Sequence, residues 1–144
     1  MIRAVEETEP DRIFHLGDCW ADSEELQALY PEIPMDRVEG NCDFSYDHQE
    51  VIAEIEGHRI LLCHGHQYGV KQSLLTLELA AEEKGADMAM FGHTHHVFYD
   101  YQPGLALFNP GSIGSPPFGI PASYGVLTIE GRRFHLETVY LKEK

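Results

Sequence analysis

Four apolar runs in this chain end in the same way, each stopping at a glycine set beside a carboxylate, an amide or an imidazole. Arg12-Ile-Phe-His-Leu16 runs into Gly17-Asp18, and Arg37-Val38-Glu39 into Gly40-Asn41. Arg59 to Cys63 runs into His64-Gly65-His66, and Met88 to Phe91 into Gly92-His93-Thr94-His95. Short apolar runs bounded in this way read as buried strands. In open α/β sheets, ligands bind beyond the carboxyl ends of the strands, so polar groups delivered there from separate strands can converge on one site. No other feature of the sequence constrains the fold as much.

The remaining pattern is helical and β in alternation. Arg3 to Glu9 reads as a short helix, and Asp22 to Tyr30 as a second, with Asp22 or Ser23 as N-cap and Leu26, Leu29 and Tyr30 on one side. Pro31 and Pro34 end it. Glu50 to Glu56 and Arg59 to Cys63 read as a hairpin turning at Gly57-His58. Lys71 to Lys84 reads as a leucine-rich helix closed by Gly85. Val97 to Tyr101, Leu105 to Phe108, Tyr124 to Ile129 and Phe134 to Leu141 read as strands joined by Gly and Pro turns. With no fixed-period repeat, low-complexity stretch or linker, residues 1–144 read as a single α/β domain.

Composition narrows the function. No apolar run approaches the ~20 residues of a membrane span, and MIRAVEETEP lacks the pattern of a secretory signal, so a cytoplasmic location is expected. The three cysteines, Cys19, Cys42 and Cys63, are odd in number and widely spaced, which suits reduced, buried thiols. A formal charge of −14, from 24 acids against 10 bases, repels the phosphate backbone and argues against a nucleic-acid clamp. Nine histidines in so acidic a chain point instead toward metal, because imidazole is the commonest metal ligand.

One carboxylate (Asp18), one amide (Asn41) and three imidazoles (His64, His93 and His95) make a mixed nitrogen and oxygen donor set. It suits Mn, Fe, Zn, Ni or Co and poorly suits Ca. On an extended strand, His93 and His95 would share a face and reach one site together. His15, His48, His58, His96 and His135 read as ordinary surface or half-buried histidines, and Trp20 as packing.

The series Gly17-Asp18, Gly40-Asn41-Cys42-Asp43, His64-Gly65-His66 and Gly92-His93-Thr94-His95, followed by Asn109-Pro110-Gly111-Ser112, resembles the calcineurin-like metallophosphoesterases. Their small single-domain bacterial and archaeal phosphodiesterases are the best match in motif order and spacing. The resemblance implies a four-layer α/β/β/α sandwich, with two mixed β-sheets flanked by helices. It also implies a pair of divalent ions, Mn foremost, with Ni, Fe, Zn, Co or Mg as alternatives. Asp18 would bridge the ions, Asn41, His64 and His93 would complete one, and His95 would hold the other. Asn41 would also orient the substrate phosphate. The implied reaction is hydrolysis of a small phosphodiester by a metal-held hydroxide, with the ions about 3.5–4 Å apart. His66 has two readings, as proton donor to the leaving group or as a turn residue. Pro110, Gly111 and Ser112 likewise read either as a turn beside the site or as a plain tight turn. Cys42 stands where monoester-cleaving relatives carry histidine, which leans toward diesters.

One departure stands out. Relatives open with an apolar strand ending in Asp-x-His, and no such motif precedes Gly17-Asp18 here. The expectation is therefore a shortened or remodelled domain, with one ion well held, reduced activity, and homo-oligomerisation through the opened sheet. The alternative that the resemblance implies is a scaffold or binding module on the same fold, as in a retromer subunit.

Overall fold

The computed structural model describes residues 1–17, 20–39 and 50–141, with the side chain of Trp20 left aside. Asp18, Cys19, Asn41, Cys42 and His48 lie outside the described residues.

The chain opens with helix α1 (Ile2–Thr8), strand β1 (Ile13–His15), helix α2 (Trp20–Leu29) and strand β2 (Met35–Arg37). Then come β3 (Glu50–Ile55), β4 (His58–Cys63), a 3-10 turn (His66–Tyr68), helix α3 (Leu75–Glu83) and β5 (Met88–Met90). The last elements are β6 (Val97–Gln102), β7 (Leu105–Pro110), β8 (Ser123–Glu130) and β9 (Arg133–Tyr140). Five strands form one mixed sheet in the order β3-β4-β5-β7-β6. Within it β4, β5 and β7 are parallel, so their carboxyl ends share one edge.

The central strands β4, β5 and β7 are buried on both sides, which is why β4 reads as a continuous apolar run. Alternate side chains enter two cores. Leu61, Cys63, Ala89, Phe91 and Leu107 pack against Leu77 and Ala81 of α3. Ile60, Leu62, Met88, Met90 and Phe108 point the other way, against Val38 and Leu136, with Phe14, Leu16, Leu127 and Phe134 at the margin. Each fully buried Leu or Ile adds roughly 1.5–3 kcal/mol. The second β-layer therefore comes from the ends of the chain, as a parallel pair β1-β2 and an antiparallel pair β8-β9 that do not hydrogen-bond to one another. Tyr124 of β8 donates to Glu7 of α1 at 3.3 Å, and Arg37 of β2 donates to Ser23 of α2 at 3.4 Å, so α1 and α2 lie against this layer. The expected sandwich of helices and two β-layers is observed, with its second β-layer in two pieces.

Boundaries differ in instructive ways. The hairpin turns at Glu56-Gly57, not Gly57-His58: the register pairs Ile55 with His58, and the two turn residues have φ 47° and 85°. A two-residue turn of this hand needs positive φ at both positions, so glycine falls second. Glu56 accepts that conformation while its carboxylate takes the Gly131 N–H at 2.9 Å. Helix α2 starts at Trp20, which puts Asp22 in its first turn and leaves neither Asp22 nor Ser23 as the cap. Its buried side chains are Ser23 and Leu26, whereas Leu29 is 58% exposed. Helix α3 starts later than expected, after Ser73, whose hydroxyl accepts the Leu75 N–H at 3.1 Å.

Candidate metal centre

Two of the four motif tips are stitched together by backbone. The Gly92 N–H donates to the His64 carbonyl at 2.9 Å, which extends the β4-β5 pairing past the strands. A Cβ on Gly92 would sit 3.4 Å from the Leu16 carbonyl oxygen and 3.6 Å from His64 Nδ1. The tips of β1, β4 and β5 thus meet at ordinary van der Waals distance around this residue.

His64 is 1% exposed, and its Nδ1 lies 2.9 Å from the Leu16 carbonyl, two residues before Asp18. A carbonyl only accepts, so Nδ1 carries the hydrogen, and it is Nε2 that becomes the lone pair whenever the ring is neutral. Metal-binding histidines are typically oriented by such a bond from the other ring nitrogen. Nε2 faces His93 Nδ1 at 3.2 Å. The two nitrogens can share a proton or turn to a common cation. His66 completes a triangle of rings, with centroids 5.3 Å from His64 and 6.1 Å from His93, while His64 and His93 are 4.9 Å apart. His66 Nδ1 is buried without a hydrogen-bond partner among the described residues. Buried polar atoms are seldom left so.

The expectation for His93 and His95 is corrected. Strand β5 ends at Met90, and both histidines lie in a loop with left-handed φ of 65° and 63°. Strand alternation does not apply, because the chain curls as it leaves the sheet. His95 is half-buried on that loop. Among the described residues no three His, Cys, Asp or Glu side chains stand in metal-holding geometry. His64, His66 and His93 are brought together, while Asp18 and Asn41 lie outside the described residues. The donor chemistry of His64 and His93 fits a divalent ion.

Sequence reasoning left Asn109 without a chemical role and took His58 for an ordinary histidine. Asn109 is fully buried at the end of β7 and bonds to both the histidine loop and Gly111. A buried amide closing an apolar strand just before proline was the available signal. His58 is 7% exposed and bonded at both ring nitrogens, at the far end of the sheet. Cys63 meets its expectation as a buried thiol, and burial pushes its pKa up to about 12.

No helix among the described residues is long and apolar enough to cross a membrane. Over 126 residues the chain is 40% identical to the probable metallophosphoesterase YsnB of Bacillus subtilis, covering 86% of this chain and 72% of that one. It is 35% identical over 101 residues to the phosphodiesterase YfcE of Escherichia coli K12, covering 62% and 50% respectively. The fold matches that of Vps29 complexed with zinc from Entamoeba histolytica, with a TM-score of 0.75 and 19% identity over 96% of this chain and 87% of the other. Residues 1–132 match the calcineurin-like phosphoesterase superfamily domain. With residues 1–132 matched and a relative 40% identical over most of both chains, the chain belongs to the calcineurin-like phosphoesterase superfamily.

Proposed function

We propose that the protein is a metal-dependent phosphodiesterase of small phosphodiesters, with Asp18, Asn41, His64, His93 and His95 as its metal ligands and Asn41 and His66 acting on the substrate. The observation that carries this reading is the tautomer of His64, whose Nδ1–H is committed to Leu16 while Nε2 faces His93. The mixed set of carboxylate, amide and imidazole donors suits a divalent ion, manganese foremost through its oxygen ligands, with zinc, nickel, iron, cobalt or magnesium as alternatives. When bound, such ions act as Lewis acids toward phosphoryl oxygens and lower the pKa of coordinated water.

The chain's own residues do the rest. Leu16 and Gly92 hold His64 in orientation. His66, whose ring stands beside those of His64 and His93 with a buried Nδ1, is the candidate to hold a proton for the leaving oxygen. A charge of −14 disfavours long polyanions and leaves small esters as substrates. The name of the relative YfcE supports a diester, and the free, buried thiol of Cys63 supports a cytoplasmic location.

The test is hydrolysis of bis(p-nitrophenyl) phosphate with added Mn2+, with EDTA, and in His64→Ala and His93→Ala. Turnover that needs the metal and both histidines is expected. A folded protein whose hydrolysis is absent, or indifferent to both substitutions, would overturn the enzymatic reading in favour of a scaffold.

A further inference from the structure

The loop that carries His93 and His95 is strained. Two non-glycine residues with left-handed φ, separated by one threonine, cost on the order of 1 kcal/mol or more each, and such strain persists only where the surroundings over-determine it. Here one buried side chain does so. Asn109 Nδ2 donates to the Gly92 carbonyl at 3.1 Å and to the Thr94 hydroxyl at 3.0 Å, while Oδ1 accepts the Gly111 N–H at 2.9 Å. Two acceptors on one side and a donor on the other fix which way the amide points. Thr94 also closes the loop on itself, with its hydroxyl accepting the His96 N–H at 3.1 Å and its own N–H donating to Gly92 at 2.7 Å.

Asn109 is itself held. Gly111 has φ 82°, and a Cβ there would lie 2.1 Å from Ser123 Oγ. That hydroxyl donates to the Pro110 carbonyl at 2.8 Å. Hydrogen bonds thus run from β8 through the Pro110-Gly111 turn and Asn109 to the one residue between the two histidines.

We propose that Asn109, acting through Thr94, is the positioning residue of the histidine loop, setting the direction of His93 and His95 before any ion arrives. This rests on the metal reading above and adds to it the origin of the loop's preorganisation. Removing the amide's donors or the threonine hydroxyl frees the two histidines to relax toward ordinary φ, so an ion must then order them as it binds.

The decisive variants are Thr94→Val, which keeps the branched shape without the hydroxyl, and Thr94→Ser, which restores it. Asn109→Asp is the companion, because it keeps the acceptor for Gly111 and removes both donors. Mn2+ binding is measured by calorimetry, and amide exchange at His96 in the metal-free protein, alongside its melting temperature. Thr94→Val and Asn109→Asp are expected to weaken Mn2+ roughly 10- to 100-fold, the range usual for residues that orient a ligand, with Thr94→Ser close to the parent. His96 exchange should quicken in Thr94→Val while melting changes little. Parental Mn2+ affinity and slow His96 exchange in Thr94→Val would overturn the proposal, as would Thr94→Ser being as damaged as Thr94→Val. A parent protein that takes up no Mn2+ would instead sink the metal reading. Exchange at His96, which needs no metal, then decides alone whether Asn109 and Thr94 hold the loop.

Discussion

The two ends of the five-stranded sheet use histidine in opposite ways. At the carboxyl ends of β4 and β5, nitrogen faces nitrogen, with His64 Nε2 3.2 Å from His93 Nδ1. At the other end His58 faces oxygen on both sides, with Asp87 Oδ2 at 2.6 Å and the Gly131 carbonyl at 2.9 Å. Two acceptors ask for two N–H donors, which only the imidazolium supplies. The Asp87 hydrogen bond accordingly raises the pKa of His58, against the lowering effect of burial, with the Gly131 carbonyl and the Glu56 charge adding to the rise. One end sets imidazole nitrogen against imidazole nitrogen, a pair that a cation could bridge, whereas the other makes the ring itself the cation. The identity of the facing atom, more than the residue type, decides the role.

The largest effect should come from the end that faces nitrogen. His64→Ala or His93→Ala should lower Mn2+-dependent kcat/KM at least ~100-fold, since even residues that merely orient metal ligands are worth 10- to 100-fold. His93→Ala, which removes a half-buried ring, should unfold in denaturant near the parental midpoint, whereas His64→Ala also removes a fully buried ring bonded to Leu16 and should melt earlier. A midpoint collapse in His93→Ala would show that the two ends are structural alike.

The end that faces oxygen should show the reverse. His58→Phe should cost roughly 1.5–3 kcal/mol of stability, the usual worth of charge-assisted hydrogen bonds, and leave turnover unchanged. The pH dependence has a definite sign. A folded pKa raised above the unfolded value makes the His58 contribution complete below about pH 6.5 and lost as pH climbs through the raised folded value. The stability gap between parent and His58→Phe should therefore be widest in mild acid and narrow toward alkaline pH. A gap constant across that range would break the contrast between the two ends.

Smaller effects lie between them. Tyr68, just after His66, donates a short hydrogen bond to Glu50 at the start of β3, and burial with that bond pushes its pKa up. Tyr68→Phe should cost about 1 kcal/mol in denaturant melts. Lys84 pairs with the same Glu50 at 3.4 Å, with both side chains partly exposed. Lys84→Ala should change stability by less than about 0.5 kcal/mol, and less still in high salt.

Much of this was legible in the chain. Residues 60–63 and 88–90 announce themselves as strands because both faces of their sheet are covered, and the Gly-polar endings mark where side chains gather. Gly85, with φ 68°, closes α3 as composition suggests. Other features were hidden because they depend on contacts distant in sequence. Ser23 sits buried inside a helix because Arg37 of the neighbouring strand donates to it. His58 moved from turn to strand because Asp87 and Gly131 hold it from 29 and 73 residues away.

The sequence by itself marked β4 and β5 and the imidazoles that follow them, because periodicity and glycine placement are local properties of a chain, and its motifs carried the resemblance to the family, whereas the expected strand Arg37–Glu39 lies earlier, at Met35–Arg37. Tertiary structure decided the rest. It selected the tautomer of His64 through Leu16, curled the His93 and His95 loop under Asn109, and set the charge of His58 through Asp87. Those outcomes turn on whether a donor or an acceptor arrives within 3 Å from another part of the chain. No local pattern carries that information.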